Sequence, residues 1–186
     1  MKRIYVFVLS VLLLASCGPK YAEPVEASQV GFAVSFLKNV NEVTPRGENV
    51  VVSPYSAAIV LSMLAEGAEG KTKEEFYDAL DGVLYKAEDL GSNDTVVVKS
   101  ANAVWIDDDF SPRNRYVSLL EKDFDAFLDV ESFADPATVH AINNWCSEHT
   151  NGKITGIIDR LNPGNVMVLV NALYFNAPWE VKFDPR

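Results

Sequence analysis

The chain has little cysteine, little histidine and no excess of positive charge. It carries two cysteines and two histidines in 186 residues. Two cysteines cannot build the dense disulfide framework of a small secreted domain. Lys and Arg number 16 against 26 Asp and Glu, a net charge of −10. That balance excludes sequence-independent binding to DNA or RNA, which needs a basic footprint. Ten glycines and nine prolines are too few for a collagen-like or low-complexity chain. No apolar run reaches the ~20 residues that cross a bilayer as a helix, and no internal repeat is visible. What is present suits one globular domain on a prior of ~150 residues. The 48% of hydrophobic residues is enough to build a core.

The first residues stand apart from that domain. Met1-Lys2-Arg3 is a positive start, and Ile4 to Ala15 is apolar apart from Ser10. This pattern reads as a secretory signal. It ends in Leu14-Ala15-Ser16-Cys17, which resembles the lipobox of bacterial lipoproteins, where the signal is cut before a cysteine that then receives acyl chains. The expected division is 1–16 signal peptide, 17–27 lipid-anchored tether with Pro19 and Pro24, and 28–186 folded domain. Loss of 1–16 removes Lys2 and Arg3 and no acid, so 16 cations become 14 and the net charge −12. Lipid on Cys17 would hold the protein at a bacterial cell envelope. Gly18 does not resemble an inner-membrane retention signal, so the outer membrane or cell surface is preferred. Cys146 would then have no disulfide partner.

From Ser28 onward the punctuation is regular. Phe32, Phe36 and Val40 recur at helical spacing, with Ser28 a candidate cap. Pro45–Glu48 breaks that helix, and Asn49–Val52 reads as a short strand. Ser53-Pro54 opens a second helix, by a hydroxyl cap and a proline at the first turn. It is apolar nearly all round, so it belongs inside the domain. Gly67 ends it. Thr72 to Glu75 has the spacing of a capping box, predicting a third helix through Phe76 and Leu80. Residues 84–94 are polar and weakly patterned. Val96–Ile106 reads as a strand within a sheet, apolar except for Lys99, Ser100 and Asn102. Ser111-Pro112 predicts a helix carrying Tyr116, Leu119, Leu120 and Phe124, and Ala126–Phe133 a strand. Asp135-Pro136 opens a helix closed by Asn151-Gly152. Val166–Phe175, with Asn171 its one fully polar side chain, predicts a strand covered on both faces. Helices and strands mix without a βαβ rhythm, so the fold class is α+β.

Three constellations invite chemistry and do not carry it. Gly70-Lys71-Thr72 matches the tail of a phosphate loop, but the first glycine is replaced by Ala65 and a helix precedes it instead of a strand. His140, Cys146 and His149 fall short of the four ligands of a structural zinc site and leave none to spare for the three plus water of a catalytic one, so a packed core cysteine beside a partly exposed histidine is the favoured reading. Cys146 and His149 lie one helical turn apart, and an enzyme built on them is a competing reading. No catalytic residue, metal or cofactor is expected.

Four stretches together resemble the serpins. They are Asn49–Ser56 running on through Met63-Leu64 to Gly67–Thr72; Ser100–Trp105; Ile142–Trp145 with Thr150–Ile154; and Leu169–Phe175 with Trp179 and Phe183–Pro185. They follow the family's order and span nearly all of 28–186. The resemblance implies the N-terminal portion of the serpin fold: helices packed around a large central mixed sheet, incomplete at its C-terminal side. It places the Ser-Pro helix beneath that sheet, Val166–Phe175 inside it, and the Asn-Trp helix across its face.

It also implies a function. In the family an exposed, strained loop is offered to a serine or cysteine protease, is cleaved, and inserts as a new strand into the sheet while still linked to the enzyme. By motif match, Ser53, Ser56 and Asn171 would hold the sheet shut, and Trp179 would mark the region where insertion begins. The bait loop, and the histidine that partners the gate residues in the family, would lie beyond Arg186. The stretch Tyr85–Asp94 is acidic where heparin-binding members are basic, so no glycosaminoglycan partner is expected. The expected partners are a target protease, through that loop, and a membrane, through Cys17. The alternatives are a non-inhibitory serpin-fold binding protein and an inactive truncated serpin.

Overall fold

The structure is a computed structural model and describes residues 27–184. Cys17, the signal and nearly all of the tether lie outside them. Five helices and three strands follow in the order α1 (Ala27–Val43), α2 (Pro54–Gly67), α3 (Gly70–Ala79), β1 (Val97–Asp107), α4 (Asn114–Phe124), β2 (Ala126–Glu131), α5 (Pro136–His149) and β3 (Met167–Asn176).

The two Xaa-Pro starts behave as their chemistry dictates. The Ser53 hydroxyl accepts from the Ser56 amide at α2, and the Asp135 carboxylate accepts from the Ala137 amide at α5, each with proline in the first turn. At the far end of α5, Asn151 and Gly152 take positive φ (50° and 71°), and the Gly152 amide reaches back to the Ser147 carbonyl at 2.8 Å. Other starts move. α1 already includes Ala27, so Ser28 lies inside it and is not its cap. α3 begins at Gly70, after Glu69, so Thr72 lies inside the helix and is not its cap. α4 begins at Asn114, three residues after Ser111, because Arg113 stays extended. Asn49–Val52 forms no strand: it finds no partner, and Val51 is 94% exposed.

The strands form one mixed sheet in the order β2-β1-β3, with β1 parallel to β2 and antiparallel to β3. The α+β expectation holds, with one qualification. β1-α4-β2 is a βαβ unit, which parallel neighbours require because a parallel pair needs a crossover. The sheet is covered on both sides. Val104, Ile106, Met167 and Leu169 face α2 and α4, packing with Ile59, Met63, Leu120 and Phe124. Ala103, Trp105, Val168, Val170 and Ala172 face α5, packing with Ile142, Trp145 and Cys146. A third cluster joins Phe32 of α1, Ala58 of α2 and Leu80. Coverage fails at the end of β3, where Phe175 is 66% exposed. Among the described residues, β3 pairs only with β1, so its other edge is open.

Candidate functional site

The gate residues divide into two sets. At the start of α2, the Ser53 hydroxyl donates to the Ser56 hydroxyl at 2.8 Å and accepts the Ser56 amide at 3.1 Å. The Ser53 hydroxyl is consumed locally, in capping the helix, and the Ser56 hydroxyl accepts from it. Asn171 stands in β3 on the sheet face that α2 covers, directly opposite Asn102 of β1. Its Nδ2 donates to Asn102 Oδ1 and to Ser100 Oγ, each at 2.9 Å. Asn102, 5% exposed, passes the chain on: its own Nδ2 donates to the Phe124 carbonyl at 2.7 Å. The direction of this chain fixes both amides. Asn102 must turn its nitrogen to a carbonyl, so its oxygen faces Asn171, and Asn171 must present nitrogen. Asn171 Oδ1 is therefore turned away, buried and without a hydrogen-bond partner among the described residues. No hydrogen bond joins the serine pair to the asparagine pair.

Tyr55 lies between the two sets. It packs against the α2 face of the sheet, and its hydroxyl is buried beside Ser100 without a well-formed hydrogen bond. Burial pushes the phenol up, partly offset by Ser100 and reinforced by Glu88. In the sequence Asn102 and Ser100 are polar interruptions of a strand and part of the Ser100–Trp105 stretch, with no site role of their own. Their role becomes visible once the β1–β3 register is known.

Trp179 lies three residues past β3. It is 70% exposed, with its ring edge-on to Phe183 at 5.3 Å. With Phe175 near the strand's end and Val181 and Phe183 beyond it, Trp179 leaves a run of apolar side chains in solvent.

On the opposite face, α5 is bound by an aromatic ladder. Phe127, Trp105, Trp145 and His149 follow with centroid separations of 6.1, 5.6 and 4.1 Å. The polar side chains of α5 hold the connector to β3. Asn143 donates to the Ile158 carbonyl at 2.8 Å and accepts the Ile157 and Ile158 amides at 2.8 and 3.2 Å. Thr150 accepts the Ile154 amide at 3.0 Å.

The chemistry-bearing decoys resolve as packing. The Cys146 thiol is buried against the sheet, and burial pushes its pKa up, away from a reactive thiolate. His149 does not bond it. Its ring stacks on Trp145, and its Nδ1 lies 2.8 Å from the Trp145 carbonyl. His140 is exposed. Asp107, Asp108 and Asp109 cluster after β1, but Asp107 spends its oxygens on the Asp109 and Phe133 amides, closing the turn.

The chain's relatives agree with this architecture. Residues 27–186 match the family model described as Serpin (serine protease inhibitor). A serine protease inhibitor of Cyanea capillata is 36% identical over 170 residues, covering 82% of this chain and 44% of the relative. Serine protease inhibitor 42Dd of Drosophila melanogaster is 35% identical over 156 residues, covering 74% and 41%. The thermophilic serpin tengpin in its latent state superposes with a TM-score of 0.78 at 27% identity, over 88% of this chain and 48% of tengpin. The chain spans less than half the length of each of these proteins.

Proposed function

Since this chain belongs to the serpin family, we propose that it forms the sheet-bearing part of a protease inhibitor that traps a serine or cysteine protease by strand insertion. Serpins as a family are protease inhibitors and not catalytic enzymes. The observation that carries the reading is the β3 edge with Asn171 behind it. β3 offers ten residues of backbone to a new neighbour and has none among the described residues. Beneath that edge Asn171 ties β3 to β1 and holds a buried acceptor, Oδ1, that has no donor among the described residues. A buried polar atom left unpaired costs about 1–3 kcal/mol, so a segment arriving beside β3 with a donor gains both a strand ladder and that bond. In this reading Ser53 and Ser56 act by fixing the start of α2, which carries Tyr55 to the same polar chain. Trp179 and its apolar neighbours mark the end of β3 from which the strand enters.

The test is made on the natural full-length protein with a panel of serine and cysteine proteases. Trapping gives a protease-inhibitor complex that survives boiling in detergent. Cleavage and release, with no such complex for any protease that cuts the protein, contradicts the inhibitory reading and favours a non-inhibitory binding role.

We further propose that Cys17 carries lipid and holds the protein at a bacterial cell envelope, outer membrane or surface. The support is the lipobox-like Leu14–Cys17 behind an apolar stretch. Labelling with an alkyne fatty acid in cells checks it. Label that disappears in Cys17→Ser is expected, and label absent from the unaltered protein contradicts it.

A further inference from the structure

Two clefts open side by side where α2 ends and α3 and α4 begin. The first, about 560 Å³, has Leu64, Phe76, Phe110 and Met167 among its walls. Its volume lies within the ~300–1,000 Å³ of ligand pockets, and its walls are mainly apolar, as theirs are. The second, about 300 Å³, carries Arg115 and Lys73. Tyr116, Arg113 and Glu69 line both, and Glu66 lines the second. Tyr116 is a fixed partition. Its hydroxyl donates to the Met63 carbonyl at 2.9 Å, and its ring packs on Gly67, where an added Cβ would meet it at 2.9 Å.

The charges of the second cleft are not balanced evenly. Lys73 pairs with Glu66 at 3.0 Å, and Arg113 pairs with Glu69. Arg115 has no carboxylate within ion-pair distance among the described residues. The Arg113–Glu69 pair is 81% and 78% exposed, so it is weak and yields readily to a competing anion. In a chain of net charge −10, an unpaired guanidinium beside an apolar cleft reverses the prevailing sign.

We propose that this double cleft binds one amphipathic carboxylate of the long-chain fatty-acid class. The hydrocarbon chain lies among Leu64, Phe76, Phe110 and Met167, and the carboxylate takes the Arg115 guanidinium, whose forked donors match its two oxygens. Arg113 joins it by letting go of Glu69. Chain length then sets affinity, by about fourfold for each methylene buried, until the first cleft is full.

Calorimetric titration of the full-length protein with dodecanoate, kept below its micelle concentration, tests this. One equivalent should bind saturably, with dodecanol at least about tenfold weaker. Arg115→Gln should weaken dodecanoate about tenfold while leaving the melting temperature unchanged, since a hydrogen-bonded charge contributes on that scale. Leu64→Trp, which fills the apolar cleft, should abolish binding. Absence of saturable binding, equal affinity for dodecanol, or an Arg115→Gln variant that binds as tightly as the unaltered protein would overturn the proposal.

Discussion

Asn102 and Asn171 face each other across β1 and β3, and their side chains share a hydrogen bond of 2.9 Å. Antiparallel strands already share their backbone bonds, so this bond adds little to pairing as such. Its effect is directional. With Ser100 and the Phe124 carbonyl it forms a one-way donor chain that ends beneath the outer edge of β3 in an acceptor with no partner among the described residues.

Replacing either asparagine should be costly in a way that depends on the other. Asn102→Ala strips both the Phe124 carbonyl and Asn171 of a partner, for an expected loss of about 1–3 kcal/mol. Groups that share one bond do not add independently, and a double-mutant cycle with Asn171→Ala should give a coupling of about 0.5–3 kcal/mol. Urea unfolding of the four proteins measures it. Strict additivity would mean that the two amides do not act as a pair.

Gly67 should resist alanine despite the helix it ends. Alanine favours a helix by about 1 kcal/mol over glycine. Here the new methyl group meets the Tyr116 ring at 2.9 Å, and that ring is pinned by its bond to Met63. Overpacking costs about 1–3 kcal/mol, so the net change should be destabilising. A higher melting temperature for Gly67→Ala would show that the ring gives way.

Tyr116 should also reveal itself by titration. Burial pushes its hydroxyl up to about 12, whereas an unfolded tyrosine ionises near ~10. The folded state therefore holds the proton longer, and the stability that this provides is complete below pH ~10 and is lost as pH climbs toward 12. Burial also pushes Tyr55 and Tyr85 up, so phenolate absorbance should show a component near pH 12 that Tyr116→Phe alone removes. Tyr116→Phe should also cost about 0.5–1.5 kcal/mol through the missing bond to Met63.

The connector from α5 to β3 depends on Asn143, which makes three hydrogen bonds to Ile157 and Ile158. Asn143→Ala should raise amide exchange at both residues by tenfold or more, on the scale of ~1.4 kcal/mol for each factor of ten. Exchange in β1 should stay as it was. A variant that changes neither residue would show that packing alone holds the connector.

Cys146→Ala should leave any inhibitory activity intact and lower stability modestly, as expected of a small buried side chain. Loss of activity with the fold preserved would revive the enzyme built on Cys146 and His149.

The parts of this fold legible in sequence are those dictated by local chemistry. Ser53-Pro54 and Asp135-Pro136 announced α2 and α5, because a side-chain cap and a proline satisfy the first turn without help from elsewhere. The apolar run around Asn171 announced a covered strand, and α2 and α5 do cover its two faces over most of its length. The failures come where partners decide. Asn49–Val52 has strand composition but no neighbouring strand. α3 starts at Gly70, ahead of the box read at Thr72. Asn102 reads as an interruption and as part of the Ser100–Trp105 stretch, but its bond to Asn171 depends on a β1–β3 register that no local pattern reports. Asn171 was found through resemblance, and Asn102 through the structure.

The account turns on whether a strand adds beside β3. Amide hydrogen exchange in β3 of the full-length protein, before and after cleavage of its exposed loop by a protease, tests this most directly. Insertion predicts that those β3 amides facing away from β1 that exchange fast before cleavage become strongly protected after it, while those facing β1 change little. Outward amides that exchange as fast after cleavage as before would contradict it.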